Sequence, residues 1–238
     1  MPDIYDPDFV KDVFDKCSDS YIKFSYYCSF GFTERWRKQC VDLFTDLPKA
    51  AVGLDLMAGT GEVWPHLLKK FPNTERITAI DISSGMHKRA MERLHKLRAD
   101  KIEFIKDNIL ASKLSPNSAD FVVSTFGLKT FNREQHQKLA KVINHVLKPG
   151  GQFALIEASD PKGWIFRWPY MFHLRCILPI VERALLRGAT DFKMIGIYSK
   201  NFGNASRFAK DLESYGLEVR YKKHFFGCAT SVSGRKPY

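Results

Sequence analysis

Short apolar runs bounded by turn residues alternate along the chain with stretches of helical spacing. Residues 50–56 form an apolar run that ends in Met57-Ala58-Gly59-Thr60-Gly61, which predicts a buried strand and a tight turn. A helix is expected over 62–71, with Pro65 tolerated in the first turn, where no N–H is needed. Further strands are expected over 77–81, 102–105, 120–126 and 152–158. Between them lie a basic helix capped by Ser83 or Ser84, a helix over 133–146 and the turn Pro149-Gly150-Gly151. A last helix over 206–215 stops at Gly216, and 217–226 and 228–232 can pair around Gly227. Each strand–helix repeat suits a right-handed parallel crossover, so the expected class is α/β in a single domain over 1–238.

Two segments break the alternation. In residues 1–48, Phe9, Val10, Val13 and Phe14 form one helical stripe, and Tyr21, Phe24, Tyr26, Tyr27, Phe30, Phe32 and Trp36 follow closely. Gly31 reads as a break before a helix over 33–44, with Thr33 as its N-cap. The segment suits a helical layer packed on the domain and equally a lid whose aromatics cover a substrate. Residues 160–204 are irregular and hold Trp164, Phe166, Trp168, Tyr170, Phe172 and His173, followed by an apolar helix over 177–186 interrupted by Pro179. They read as a helical insertion on the substrate side.

Composition narrows the class. The chain has 238 residues, 45% of them hydrophobic, enough for a full core. No run of 18 apolar residues predicts a membrane span. Residues 1–8 carry three acids and no apolar stretch, so no secretory signal is expected. The five cysteines are scattered without a CxxC pair, which points to reduced thiols in the cytoplasm and against a zinc site or disulfide framework. The net charge of +11 would attract nucleic acid, anionic membranes or acidic ligands. Its densest cluster, over 87–101, alternates with Ala90, Met91, Leu94 and Leu97 at helical spacing, as a solvated face opposite a core stripe would.

The glycine turn is a cradle in which a ligand can lie against backbone N–H groups. A dinucleotide fingerprint needs a third glycine where Trp64 stands. A phosphate loop needs Lys-Ser or Lys-Thr where Glu62 follows Gly61, and that carboxylate would repel a triphosphate. A nucleoside with a small charged tail remains. Asp81, ending the second strand, suits a ribose diol, and Asp107-Asn108, after the third, suits an adenine amino group. The set fits S-adenosylmethionine.

Residues 54–62, Asp81-Ile82-Ser83-Ser84-Gly85-Met86, Phe126-Gly127-Leu128 and Leu147-Lys148-Pro149-Gly150-Gly151 resemble those of the class I methyltransferases. More closely, the chain is similar to the UbiE-type ubiquinone and menaquinone biosynthesis C-methyltransferases. That similarity extends over Tyr21, Ser29-Phe30-Gly31, Arg35-Trp36, Glu157, Ser159, Pro161 and Leu178-Pro179, nearly the whole chain. The resemblance implies a Rossmann-like, mostly parallel seven-stranded sheet with a terminal antiparallel strand. It also implies that Asp55, Ala58, Gly59, Thr60 and Gly61 line the methionine end of the cofactor and that Asp81 holds the ribose. Ile82 and Met86 would lie beside the adenine, Asn108 and Ile109 at its edge, and Thr125 under the sulfur. The family usually has Arg-Asn after Phe-Gly-Leu; here Lys129 and Thr130 stand there. Lysine is a point charge and not a planar fork, so the cofactor reading stands while the quinol acceptor is put in question.

Methyl transfer is an in-line displacement, so the protein mainly positions its reactants. Candidate helpers in acceptor deprotonation are Lys129, Tyr21, His173 and Asp160. The many aromatics suggest a flat, apolar acceptor. The leading expectation is therefore C-methylation of a hydrophobic aromatic or quinol-like molecule. Alternatives are an O- or N-methyltransferase or a cyclase using the same cofactor, and a nucleic-acid-binding protein on this fold. No nucleic-acid module is recognisable, and peripheral membrane contact is compatible with the first expectation.

Overall fold

The computed structural model describes residues 3–177, Ile180 and residues 193–238. Helix α1 (Pro7–Cys28) starts at Asp6, whose carboxylate accepts the N–H groups of Asp8 and Phe9, with Pro7 in the first turn. Gly31, at φ 75°, turns the chain into α2 (Phe32–Val41). Thr33 is not the cap of α2: Gly31 holds that position, and the Thr33 hydroxyl instead bonds Ser29 Oγ at 3.0 Å.

The sheet comprises β1 (Val52–Leu56), β2 (Arg76–Asp81), β3 (Ile102–Lys106), β4 (Ala119–Thr125), β5 (Leu147–Ala158), β6 (Glu218–His224) and β7 (Ala229–Arg235). Its order is β3-β2-β1-β4-β5-β7-β6, parallel through β5, with β7 antiparallel to both its neighbours. The crossovers carry α3 (Trp64–Lys70), α4 (Ser84–Leu97) and α5 (Arg133–Val146), and α8 (Ser206–Ser214) precedes β6. Strand β5 starts at Leu147 and not at Gln152: Leu147 pairs with Ala119, and Pro149-Gly150-Gly151 sits at a register shift inside the strand.

Side-chain alternation divides the core. Phe121, Val123, Ala154 and Ile156 pack on one face with Trp36, Cys40, Trp64 and Leu67 of α2 and α3. Val122, Phe153 and Leu155 pack on the other with Leu139, Ile143, Phe208 and Leu212 of α5 and α8. With both faces covered, the central strands are apolar almost throughout, as parallel strands are. The strand order reverses at β1–β4, and a crevice opens there beyond the carboxyl ends of the strands.

Helix α4 is anchored by α1. Asp15 accepts Ser83 Oγ at 2.5 Å and the Gly85 N–H at 2.7 Å, so a carboxylate sits on the N-terminal end of α4. Ser83 is the cap, accepting the Met86 N–H. Two cations of this basic helix are used internally: Arg89 pairs with Asp19 and Glu92, and Arg93 donates to the Thr60 carbonyl at 2.7 Å. The 160–204 segment contributes α6 (Arg167–Phe172), a π-helical turn (His173–Ile177) and α7 (Lys193–Phe202). Helix α7 reaches the start of α1, where the Tyr198 hydroxyl donates to the Ile4 carbonyl at 2.6 Å. The apolar helix expected over 177–186 lies outside the described residues except at its first residue and Ile180. No described helix is long and apolar enough to cross a membrane.

Candidate functional site

Two cavities meet above the strand ends. The first, about 890 Å³ and open to solvent, lies over β1, β2 and β4, with the first half of α1 as its roof. The second, about 1050 Å³, lies between α1, α2, the end of α6 and the bend at Phe225. Tyr21 and Phe126 line both.

The first cavity is built on the glycine turn. Gly59 has φ 56°, and a Cβ placed on it would meet nothing within 4 Å, so its outer face is open cavity. Its N–H donates to Asp81 Oδ2 at 2.8 Å, and the Ser83 N–H donates to Asp81 Oδ1 at 2.9 Å. A carboxylate oxygen can accept a second bond, so this pair can also receive ligand hydroxyls. Burial pushes the Asp81 carboxyl upward, and the Ser83 and Gly59 N–H groups oppose that shift. Ala58, Ile82, Met86, Asp107, Asn108, Ile109 and Thr125 join Gly59 and Asp81 on the walls. The cradle thus presents a diol acceptor at one end and apolar side chains with an amide and a carboxylate at the other. This arrangement fits an adenosine ligand.

Three residues expected here do not line this cavity. Asp55 is buried under the turn, where its Oδ2 accepts the Trp64 indole N–H at 2.8 Å. Burial pushes its carboxyl up to about 8, an effect the indole bond partly opposes and the Asp81 charge reinforces. Thr60 faces inward, and among the described residues its Oγ1 has no partner. Gly61, at φ 72°, lies on the Trp64 ring, 2.3 Å from where a Cβ would sit. Trp64, which displaced the third glycine of the sequence pattern, is therefore the floor of the turn.

Arg37 and Glu62 also line this cavity, and the sequence reading missed Arg37 altogether. Arg37 is buried. Its Nη2 donates to Glu62 Oε2 at 2.7 Å, its Cζ lies 5.1 Å from the Phe126 ring centre, and among the described residues its Nε has no partner. A buried donor left unpaired is costly, so a ligand acceptor is the natural partner. The signal available was Glu62 itself, read only as a carboxylate that repels phosphate.

The second cavity is lined mostly by aromatic and aliphatic side chains, including Phe24, Phe32, Trp36 and Tyr170. Lys129 is its buried cation. The ammonium donates to Glu157 Oε1 at 2.8 Å and to the Phe126 carbonyl at 2.7 Å, which among the described residues leaves one N–H of three. His173 lines the same cavity. Its Nε2 donates to the Cys28 carbonyl at 2.8 Å, so a neutral ring presents Nδ1 as an acceptor. Burial and the Glu62 charge push the Tyr21 phenol well above its ordinary value, which makes it a hydrogen-bond donor and not a base. Asp160 lines neither cavity: its carboxylate is bound by Arg167 at 2.5 and 2.6 Å, which ties the loop after β5 to α6.

Backbone strain gathers at the same place. Met57, Phe126, Phe30 and Phe225 line the cavities at positive φ, a region that bulky side chains rarely adopt. Such outliers cluster at functional sites.

The sequence matches the ubiE/COQ5 methyltransferase family over residues 3–236. It is similar to the demethylmenaquinone methyltransferase of Bacillus cereus (strain ATCC 10987 / NRS 248), 26% identical over 229 residues that cover 96% of this chain and 95% of the relative. In fold it is similar to a SAM dependent methyltransferase from Aquifex aeolicus, with a TM-score of 0.55, 20% identity, and coverage of 85% of this chain and 88% of that one. It is also similar in fold to Haemonchus contortus phosphoethanolamine N-methyltransferase 2 in complex with S-adenosyl-L-methionine, with a TM-score of 0.62, 14% identity, and coverage of 92% and 59%. With a Rossmann-like sheet, a cradle that fits adenosine and a family match over nearly its whole length, the chain belongs to the ubiE/COQ5 methyltransferase family and is an S-adenosylmethionine-dependent methyltransferase.

Proposed function

We propose that the protein methylates a carbon of an apolar, quinol-like aromatic held in the second cavity. The observation that carries this reading is the junction of a polar, acid-lined cleft with an aromatic chamber containing one buried ammonium. S-adenosylmethionine, when bound, supplies a methyl group already activated by its positive sulfur. Asp81 would hold the ribose hydroxyls, and Asp107, Asn108, Ile82, Met86 and Ile109 the adenine, with Ala58, Gly59 and Thr125 at the middle of the cleft. Arg37 and Glu62 would take the carboxylate and ammonium of the methionine tail, giving the buried Nε its missing acceptor.

In the second cavity the aromatic walls orient a flat ring and exclude water, which strengthens every charge interaction inside. Lys129 would stabilise the negative charge on an acceptor oxygen through its remaining N–H. His173 would take the acceptor proton at Nδ1, the atom left free by the bond from Nε2 to Cys28. Helix α1, with Tyr170, His173, Leu174 and Ile195 of the later segment, would act as the lid, since these residues line the cavities away from the sheet.

The test is incubation of the protein and S-adenosylmethionine with a reduced naphthoquinone lacking its ring methyl, followed by mass spectrometry and NMR of the product. A new carbon-bound methyl is expected. A product methylated on oxygen, or no methylated product at all, would overturn the carbon-acceptor reading. The first of these outcomes would favour the second reading, an O-methyltransferase, motivated by Lys129-Thr130 in the place of Arg-Asn.

A further inference from the structure

The donor cleft has an outer side. A third cavity, about 630 Å³ with the space open to solvent, lies between α1, α2 and α4, and Arg37 and Glu62 line both it and the first cavity. It backs onto the glycine turn: Arg93 of α4 lines it, and the Arg93 Nε donates to the Thr60 carbonyl at 2.7 Å. An occupant of this cavity meets the Arg37–Glu62 pair from outside, as the donor meets it from within.

The acids here are already served. Glu62 is held by Arg37 Nη2 at 2.7 Å, and Glu34 by Arg37 Nη1 at 3.6 Å and His66 Nε2 at 2.7 Å, so one guanidinium supports both carboxylates. The cations Lys23 and Arg93 are not. Among the described residues Lys23 has no ion pair or hydrogen bond, and Arg93 uses only its Nε, which leaves both Nη groups as donors. Burial pushes the Arg93 guanidinium down from its ordinary value. The Glu62 charge opposes that shift and the Arg37 charge adds to it, so these groups act on one another across the cavity. A half-buried guanidinium with unused donors beside an unpaired ammonium is a receptor for an oxyanion. Tyr26 and Tyr27 line the same cavity one helical turn from Lys23, 51% and 71% exposed, with ring centres 5.5 Å apart. They offer an aromatic flank to the body of such a ligand.

We propose that the third cavity binds a small oxyanion, a carboxylate or a phosphate, on Lys23 and the Nη groups of Arg93, and that its occupation weakens the grip on the donor. The second part rests on the assignment of Arg37 and Glu62 to the donor's amino-acid tail. Arg37 already sets one positive charge against two carboxylates, so a further negative charge outside leaves less of it for the donor's carboxylate. The nucleoside, held at Asp81, lies outside this competition.

The experiment is calorimetric titration of the full chain with S-adenosylhomocysteine at rising inorganic phosphate, and in a separate arm at rising benzoate, with chloride exchanged to hold ionic strength constant. Affinity is expected to fall about fivefold or more and then level off, as coupling between two sites requires. Methylthioadenosine, which has no amino-acid tail, should keep its affinity within about twofold. Lys23→Gln and Arg93→Gln should each move the midpoint of the fall to about threefold or more higher anion concentration. Without either anion, Lys23→Gln should bind S-adenosylhomocysteine as the wild type does, which reports that it is folded. A plateau with phosphate alone assigns a phosphate ligand, and one with benzoate alone a carboxylate whose ring rests on Tyr26 and Tyr27. No fall in either arm would overturn the proposal. So would a fall that never levels off, which is direct competition in the donor cleft, a fall shared by methylthioadenosine, or a plateau that both variants leave in place. Failure of the tail assignment shows separately: Arg37→Met would then weaken both nucleosides equally in the absence of anion.

Discussion

Lys129 and Glu157 form an ion pair taken out of water, and breaking it from one side should be far costlier than removing it whole. Lys129 is 5% exposed and Glu157 not at all. The pair is 2.8 Å long, and the carboxylate also accepts the N–H groups of Lys129 at 3.0 Å and Ala158 at 2.8 Å. Lys129→Met leaves a buried carboxylate with those two backbone donors. Glu157→Gln leaves a buried ammonium with the Phe126 carbonyl and the Phe126 ring, whose centre is 5.8 Å away. Stranding one charge in this way costs about 3–5 kcal/mol. At about 2–4 °C per kcal/mol for a chain of this size, each single variant should melt about 6–20 °C lower. The double variant Lys129→Met/Glu157→Gln removes both charges and should recover at least half of that loss, a coupling that a double-mutant cycle reads directly. Methyl transfer separates the two roles: if the ammonium stabilises the acceptor's oxygen, the double variant regains its melting temperature but not its turnover. Single variants within about 2 °C of the wild type would refute the argument, because a pair so buried cannot lose one member cheaply.

Asp81→Ala should weaken S-adenosylhomocysteine binding by about 1.5–3 kcal/mol, roughly ten- to a hundredfold, as a lost charged hydrogen-bond acceptor does, and unchanged calorimetric affinity would contradict the ribose role. Arg37→Met should weaken S-adenosylhomocysteine by about tenfold or more while sparing methylthioadenosine, which lacks the amino-acid tail; equal losses for both would assign Arg37 to packing alone. Asp55 supplies a pH dependence. Because its carboxyl is raised to about 8 in the folded chain, the native state keeps a proton that the unfolded chain releases near pH 4, so stability is greatest at low pH and falls as pH rises between those values. Asp55→Asn should therefore gain melting temperature over the wild type at pH 8 and lose that advantage toward pH 4, and parallel melting curves across this range would show that the group is ionised throughout. His173→Ala should reduce turnover with little change in cofactor affinity, a split seen by comparing kcat with a calorimetric titration.

The sheet was readable because its strands are short apolar runs separated by turns and amphipathic helices, a local pattern that tertiary packing reinforces. The place of Asp81 and Asn108 on the cavity wall was legible for a related reason: a polar residue at the end of an apolar strand stands out, and strand ends are where this fold opens its crevice. The burial of Asp55 was not legible, since its neighbour in space, Trp64, is nine residues on, and nothing in the glycine spacing reveals an indole beneath the turn. Arg37 was invisible because it comes from a helix outside the repeating pattern and reaches the turn only through packing of α2. The role of Asp160 was not legible, because the partner of its carboxylate, Arg167, lies at the start of α6, seven residues on. The acceptor chamber is assembled from segments distant in sequence, from Tyr21 to Cys228; the aromatic runs around Tyr21 and Trp164 marked two of its walls, while the bend at Phe225 carried no local signal.

Tyr21 and Phe126 belong to the walls of both cavities, and Phe126 holds its place at φ 67°. Any displacement of these two rings by one occupant changes the shape met by the other. Donor and acceptor affinities are then tied by a single coupling factor, the same whichever ligand binds first. A dissociation constant for either ligand alone would differ by that factor from its value in the ternary complex, and stable acceptor analogues would gain or lose affinity in step with cofactor occupancy.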